Sequence, residues 1–458
     1  MSERRQPRCV ASAGDAPDEQ TTGTLRVVKL YFTTLGCRLN EAEVEALARA
    51  AHAAGHQVVL DPATADWAIV NTCAVTHVAA RKSRQAIRRL HAKACKARLA
   101  VVGCYGTLSS DEAAALPGVA LVIANVDKER ALQLILAASG GAADPALATA
   151  TEPCPRRTRA FVKVQDGCDN RCTYCVVHIA RGHSRSKPFS DVFLEAQARI
   201  EEGAQEIVLS GVNIGAYGRD LPQTGEEEGG LSLARLVGRL LAETSVPRIR
   251  LSSLEPWDVD ESLLGLWSNP RLCRQLHLPL QSGSDTVLRR MGRPMVVADF
   301  CALAARVRSR VPDMSLSTDL IAGFPGESDY DFEETCRLVE ELQFSRLHVF
   351  RFSPREGTPA ARMAGRVADD VVRLRAQRLI ALGAEGAERY HRRFVGQRVQ
   401  VLFESPSSRG GVEGWGGLTD NYLRVWAPAT GSLRNQIHEV RCTGADAAGL
   451  DGVIQEAT

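Results

Sequence analysis

From Leu25 onward, short apolar or β-branched runs alternate with Ala-rich stretches of helical period. This alternation predicts a parallel sheet with helices on its faces. The runs Arg26–Thr33, Gln57–Leu60, Trp67–Asn71, Leu99–Val102 and Val119–Ile123 are the predicted strands of a first domain, and Glu41–Ala54 is one of its helices. A second series opens at Ala160–Val164 and continues through Glu206–Ser210, Arg248–Ser252, Gln275–Pro279, Ser315–Ile321 and Arg346–Phe352. Six such β/α units predict an open or partial barrel. From about Phe394 the texture changes again. Short strands Arg398–Glu404, Gly416–Val425 and Ile437–Gly444 lie among many Gly and Pro residues, which predicts a small all-β barrel.

The expected organisation is a leader over 1–24, a doubly wound α/β domain over 25–145, a linker over 146–157, a (βα)6 core over 158–390 and a β-barrel over 391–457. The leader has no apolar periodicity and reads as disordered, with Cys9 incidental. The Ala-, Gly- and Pro-rich stretch Ala137–Pro155 marks the linker.

The 458 residues, 45% hydrophobic and 24% charged, exclude a chain that is disordered throughout. No apolar run reaches about eighteen residues, and the first twenty residues carry charges where a secretory signal needs an apolar core. A cytoplasmic protein with no membrane partner is expected. Thirteen cysteines, an odd number without an export signal, argue for reduced thiols, some of them metal ligands.

Net charge is only +2, so a nucleic-acid site must be a local patch. The stretch Arg81–Arg98 holds eight Lys or Arg and no acid. On a helix Arg81, Arg84 and Arg88 share a face, flanked by Lys82, Arg89, Lys93 and Lys96. A solvated face is the plain reading of a charge run, but the missing acids favour RNA phosphates. Arg181, Arg185 and Lys187 form a second basic stretch. The tail from Arg393 carries six Lys or Arg against seven Asp or Glu and is no basic patch.

The chemistry concentrates in cysteines. Cys168, Cys172 and Cys175 are spaced C-x3-C-x2-C just past a predicted strand, so three thiolates on one loop can take three irons of a cubane and leave the fourth open. A structural zinc wants four ligands; His178 and His183 are the nearby candidates, and no fourth cysteine or close His pair completes the loop. Cys37, Cys73 and Cys104 each follow a predicted parallel strand of the first domain. Strand carboxyl ends line one crevice in a doubly wound sheet, which predicts a second three-thiolate site. Cys95, inside the basic helix, does not share this placement. On the barrel rim, Gln281, Ser282 and Asp319 are polar groups aimed at the active face and Asn213 follows the second strand, with Gly283, Gly323 and Gly326 at strand ends as turn-makers or points of close ligand approach.

The triplet, with aromatic Tyr174 before its last cysteine, resembles the signature of radical S-adenosylmethionine enzymes. Together with Gly36-Cys37-Arg38-Leu39-Asn40, Asn71-Thr72-Cys73-Ala74-Val75-Thr76 and Val102-Gly103-Cys104-Tyr105-Gly106, it resembles the methylthiotransferases. So do Leu278–Ser284, Asp319–Glu327 and Ser353–Pro359. His178 stands where that family usually has Pro, and Met295 where an aromatic is common. The resemblance implies two 4Fe-4S clusters, on Cys168/Cys172/Cys175 and on Cys37/Cys73/Cys104. It also implies S-adenosylmethionine on the open iron of the first, with Tyr174, Asn213, Gln281, Ser282, Asp319 and Gly323 around it. The implied reaction is radical insertion of sulfur and transfer of methyl to C2 of an adenine. Tail residues resemble the tRNA-associated TRAM barrel. The Cys37 and Cys73 segments, with Lys82-Ser83-Arg84-Gln85, look most like the branch acting on N6-threonylcarbamoyladenosine beside the tRNA anticodon. The other branches act on N6-isopentenyladenosine or on a ribosomal-protein aspartate. Further expectations are tRNA contacts from Arg81, Lys82, Arg84, Arg88 and Arg89, a flavoprotein or ferredoxin electron donor, and a monomer. A non-enzymatic iron-sulfur RNA-binding regulator is the rival from another class.

Overall fold

The computed structural model describes residues 27–139, 158–222 and 231–455, so the leader and the linker lie outside the described residues. The chain forms two compact units, one of residues 1–155 with 176–182, the other of residues 156–175 with 183–458.

The first unit is a five-stranded sheet of β1 (Lys29–Thr34), β2 (Gln57–Val59), β3 (Trp67–Thr72), β4 (Arg98–Gly103) and β5 (Val119–Ile123). Its order is β2-β1-β3-β4-β5, with every pairing parallel. Central β3 is buried at every position, as a parallel strand covered on both faces must be. Its side chains alternate between two cores. Ala68 and Val70 pack with Ile87 and Leu90 of α2 (His77–Lys93), while Trp67 and Ile69 pack with Leu47 and Ala51 of α1 (Arg38–Ala53). Chain order reverses between β1 and β3, the switch point where this topology opens a crevice at the strands' carboxyl ends.

In the second unit, β6 (Arg159–Lys163) is followed by a short hairpin of β7 (Gln165–Asp166) and β8 (Arg185–Ser186). The barrel continues with β9 (Glu206–Ser210), β10 (Arg248–Leu251), β11 (Gln275–His277), β12 (Ser315–Ala322) and β13 (Arg346–Arg351). Strands β6, β9 and β10 form one parallel sheet, and β11, β12 and β13 a second. Among the described residues only the bridges Ile249–Leu272 and Ser253–His277 join them, so the expected six-stranded barrel is open, with β6 and β13 as its edges. Outward residues such as Val162, Leu209, Ile249, Leu276, Leu316 and Leu320 meet the helices in one core. The opposite face is polar, with Glu206, Arg250, His277, Ser317 and Asp319.

The C-terminal all-β expectation holds, but three strands become five. They are β14 (Arg398–Arg409), β15 (Val412–Thr419), β16 (Arg424–Pro428), β17 (Ile437–Asp446) and β18 (Gly449–Ile454), closed in the order β14-β15-β16-β18-β17. The expected single strand Gly416–Val425 is broken at Asp420-Asn421-Tyr422. There Thr419 Oγ1 accepts from the Leu423 amide at 2.9 Å and Tyr422 takes φ 65°. The unanticipated β18 follows a turn in which Asp446 Oδ1 accepts from the amides of Ala448 and Gly449. This barrel closes the amino-terminal end of the open one. Buried Arg250 binds Glu206 at 2.7 Å and the carbonyls of Thr419 and Asp420 at 3.0 and 2.9 Å, and Arg248 reaches those of Leu418 and Gln400.

Candidate functional site: two cysteine trios

Cys37 is the N-cap of α1, Cys73 directly follows β3, and Cys104 begins the short helix α3 (Cys104–Leu108). The expected convergence occurs: each thiol lies within electrostatic reach of the others. Gly36 makes the approach possible. Its φ is +116°, and a Cβ there would stand 2.7 Å from Cys73 Cβ and 3.2 Å from its Sγ. Ser83, in the second turn of α2, accepts from the Cys73 amide and donates to its carbonyl, which fixes that loop.

A buried ionic network that the sequence did not reveal lies beside these thiols. Glu43 of α1 accepts from Lys128 at 2.6 Å, from Arg181 at 2.9 Å and from Asn71 at 3.1 Å. Arg181 also donates to Asn40 Oδ1 at 2.7 Å, and Asn40 in turn donates to the carbonyls of Leu35 and Thr72. Asn125 Nδ2 reaches Cys104 Sγ at 3.6 Å and the Ala180 carbonyl at 2.8 Å. One acid against two cations leaves excess positive charge beside three thiols, which suits an anionic thiolate-bound group. Burial pushes the Cys73 thiol up to about 11, so ionisation there requires a metal in place of the proton.

The other trio sits on the loop after β7. Cys172 is buried, while Cys168 and Cys175 are partly open. Gln165, fully buried and not singled out in the sequence, organises this loop. Its Oε1 accepts from the amides of Val212 and Asn213, and its Nε2 donates to the carbonyls of Asp166 and Gly167 and to Ser184. Residues 290–292 form the bed beneath it. The Thr173 amide donates to the Met291 carbonyl at 2.8 Å, and Gly292, at φ +70°, lies so close that a Cβ would meet the Arg171 carbonyl at 3.1 Å. Arg293 follows: it points to Cys172 Sγ at 3.9 Å, pairs with Glu255 at 2.8 Å and covers the Trp257 ring at 4.6 Å. Glycine beside an arginine in the Met291–Met295 segment was the available signal; only Met295 drew notice, and it is a core residue.

A pocket of about 160 Å³ opens beside this loop, lined by Cys168, Asp169, Asn170, Ser184, Asn213 and Arg219 among others. Asn170 Nδ2 and Asn213 Oδ1 are buried there without a hydrogen-bond partner among the described residues, the condition of groups that await a polar ligand. Tyr174 packs edge-on against Phe324 in an apolar cluster with Ile321, Phe352 and Met363.

The remaining rim residues divide. Gln281, at φ 78°, donates its amide to the Asp319 carbonyl, and the Asp319 side chain lies between His277 and His348, both at 3.2 Å. The Ser282 hydroxyl is taken up with Thr335 and the Ser284 amide, and the Gly323 amide with Glu327 at 2.6 Å, so these two fasten helices. Gly283 likewise abuts the Thr335 backbone. In the second basic stretch, Arg181 is buried on Glu43, which is far away in sequence, and Lys187 pairs with Glu195 eight residues on. On α2, Arg81, Lys82, Arg88 and Arg89 are exposed, whereas Arg84 is half-buried and paired with Glu112 at 3.2 Å, an acid from outside the run. His178 and His183 are both exposed, and His183 bonds Asp169. Among the described residues, donors within 4.8 Å of one another, as a single ion requires, occur only at His277, Asp319 and His348.

Family models match in two places, an uncharacterised protein family, UPF0004, over residues 29–124 and the radical SAM superfamily over residues 162–339. The threonylcarbamoyladenosine tRNA methylthiotransferase MtaB of Thermotoga maritima is 38% identical, over 91% of this chain and 95% of its own. The ribosomal protein uS12 methylthiotransferase RimO of an Anaeromyxobacter species is 36% identical over 83% and 82%. Among solved structures, the radical S-adenosylmethionine methyltransferase TsrM of Kitasatospora setae shares the fold, with TM-score 0.55 and 12% identity over 73% of this chain and 77% of that one. With both domains matched and near-complete relatives above 30% identity, this chain belongs to the radical SAM methylthiotransferases.

Proposed function

We propose that this chain places a methylthio group on C2 of N6-threonylcarbamoyladenosine in tRNA. The observation that carries the reading is the convergence of Cys37, Cys73 and Cys104 at the switch point, a second trio beyond what S-adenosylmethionine cleavage needs. The relative from Thermotoga maritima, matched along nearly its whole length, supports the choice of substrate.

As a radical SAM enzyme the chain uses S-adenosylmethionine and a 4Fe-4S cluster. Cys168, Cys172 and Cys175 would hold that cluster, and Cys37, Cys73 and Cys104 a second one. Bound there, these groups supply reductive cleavage of S-adenosylmethionine to a hydrogen-abstracting radical, and sulfur for the new bond. The protein's own part is ligation, orientation and charge. Gln165 holds the triplet loop, Arg293 directs positive charge at Cys172, and Asn170 and Asn213 offer unpaired polar atoms to the amino-acid end of S-adenosylmethionine. Arg81, Lys82, Arg88 and Arg89 present a phosphate-binding face to tRNA, and Arg84 contributes less because Glu112 already holds it. An electron donor such as a flavoprotein or ferredoxin completes the system, and the chain acts as a monomer.

Two variants test the division of labour. Cys168→Ala abolishes 5′-deoxyadenosine formation, whereas Cys73→Ala retains it and stops sulfur insertion; equal loss of both in a folded Cys73→Ala protein refutes it. Nucleoside analysis of tRNA from a deletion strain tests the substrate. Loss of the methylthio-threonylcarbamoyl form supports the reading, and loss of the isopentenyl form alone rejects it. The RimO relative supports a second reading, a ribosomal-protein aspartate, and an unmodified aspartate with intact tRNA establishes that one instead.

A further inference from the structure

The inner wall of the open barrel carries a polar cluster that cysteine chemistry does not use. Strand register puts it there. Asp319 of β12 is the direct cross-strand partner of His348 on β13, and His277 of β11 is opposite Ser317, two residues before Asp319, so all three side chains share one face. The same oxygen, Asp319 Oδ1, stands 3.2 Å from His277 Nε2 and from His348 Nδ1. His277 is fully engaged, because its Nδ1 meets Ser317 Oγ at 3.1 Å. His348 is not: its Nε2 has no partner among the described residues, and 41% of its side chain is exposed. An ionised Asp319 only accepts, so it fixes the hydrogen of His348 on Nδ1 and leaves Nε2 of the neutral ring as a fixed acceptor.

Two residues along the same edge strand and on the same face stands Phe350, a large aromatic left 42% exposed. Its cross-strand partner Ile321 packs against the same apolar cluster as Tyr174 of the triplet loop. On the other side, Asp319 lies within electrostatic reach of Glu255, which pairs with Arg293 beside Cys172. An exposed aromatic next to an oriented hydrogen-bonding group, on the barrel's edge strand beside the triplet loop, is the combination that holds an unstacked base.

We propose that Phe350 and His348 seat the substrate nucleobase, Phe350 stacking on its face and His348 Nε2 accepting from its exocyclic N–H, with Asp319 and His277 as positioning residues. This rests on the reading that the substrate is an adenosine in tRNA. The test uses full-length, anaerobically reconstituted protein and tRNA from a deletion strain. Phe350→Ala and His348→Ala each raise the KM for tRNA about tenfold, and Phe350→Trp restores it, while the KM for S-adenosylmethionine stays at the wild-type value. The proposal is overturned by an unchanged KM for tRNA, by a parallel rise in the KM for S-adenosylmethionine, or by one equivalent of a non-iron divalent metal that His348→Ala removes. Wild-type protein that forms 5′-deoxyadenosine yet leaves tRNA unmodified sinks the RNA reading, and this seat with it; unaffected variants of an active wild type sink the seat alone.

Discussion

Glu43→Gln is the sharpest test of the chemistry beside Cys37, Cys73 and Cys104. In the folded chain this carboxylate accepts from Lys128 at 2.6 Å, from Arg181 at 2.9 Å and from Asn71 at 3.1 Å, and all three charged side chains are at most 5% exposed. Glutamine keeps the shape and one acceptor but removes the charge. Two cations then remain buried side by side, with an amide N–H facing at least one of them. Breaking a buried ionic group from one side costs about 3–5 kcal/mol, because the orphaned charges cannot regain water. For a unit of this size that corresponds to a fall of about 6–20 °C in the melting temperature. Burial already holds Lys128 below its ordinary value, so shedding its proton is the cheapest escape and places the result at the low end. Thermal unfolding of the variant, with hydrogen exchange read on peptides from β1 and α1, measures both the size and the place of the change. A melting temperature within about 2 °C of wild type, with unchanged exchange there, refutes the claim that Lys128 and Arg181 are both charged in the fold.

Gly36→Ala forces a Cβ to 2.7 Å from Cys73 Cβ at a left-handed φ, so about half of the reconstituted iron is lost; full iron in the folded variant contradicts the cradle. Gln165→Leu strips partners from buried amides and carbonyls of the triplet loop, at about 1–3 kcal/mol for each group left unpaired. The paramagnetic signal of the cluster on Cys168, Cys172 and Cys175 should vanish while sulfide held at the other trio persists, and loss of both together counts against separate sites. For Asp420, burial pushes the carboxyl up, but Arg274 at 2.6 and 3.2 Å outweighs it and the folded value lies below the ordinary one. Its contribution is therefore complete above about pH 5 and is lost as pH falls through the folded value. Urea unfolding followed by the fluorescence of Trp415 and Trp426 should show this acid loss in wild type and a flatter pH profile in Asp420→Asn. Equal profiles refute it.

Much was legible in the sequence because it depends on local period and spacing. The apolar run Trp67–Val70 of β3, set in an alternating β/α series, reads as a covered parallel strand, and C-x3-C-x2-C is a local constraint on three thiols of one loop. Even the convergence of Cys37, Cys73 and Cys104 followed from the rule that parallel strands end on one side. The C-terminal strands were less legible, since Gly416–Val425 keeps its β character through a turn set by Thr419 and Asn421. What the sequence could not determine was pairing across long separations. The eight cations of the 81–98 run looked unopposed until Glu112 came to lie beside Arg84, and Arg181 looked like part of a basic stretch until folding buried it against Glu43. Gln165, Arg293, His348 and Phe350 carry no motif of their own. Their roles arise from strand register and barrel closure, which bring groups far apart in the chain to within a few ångströms, and burial then makes each unpaired charge or amide count.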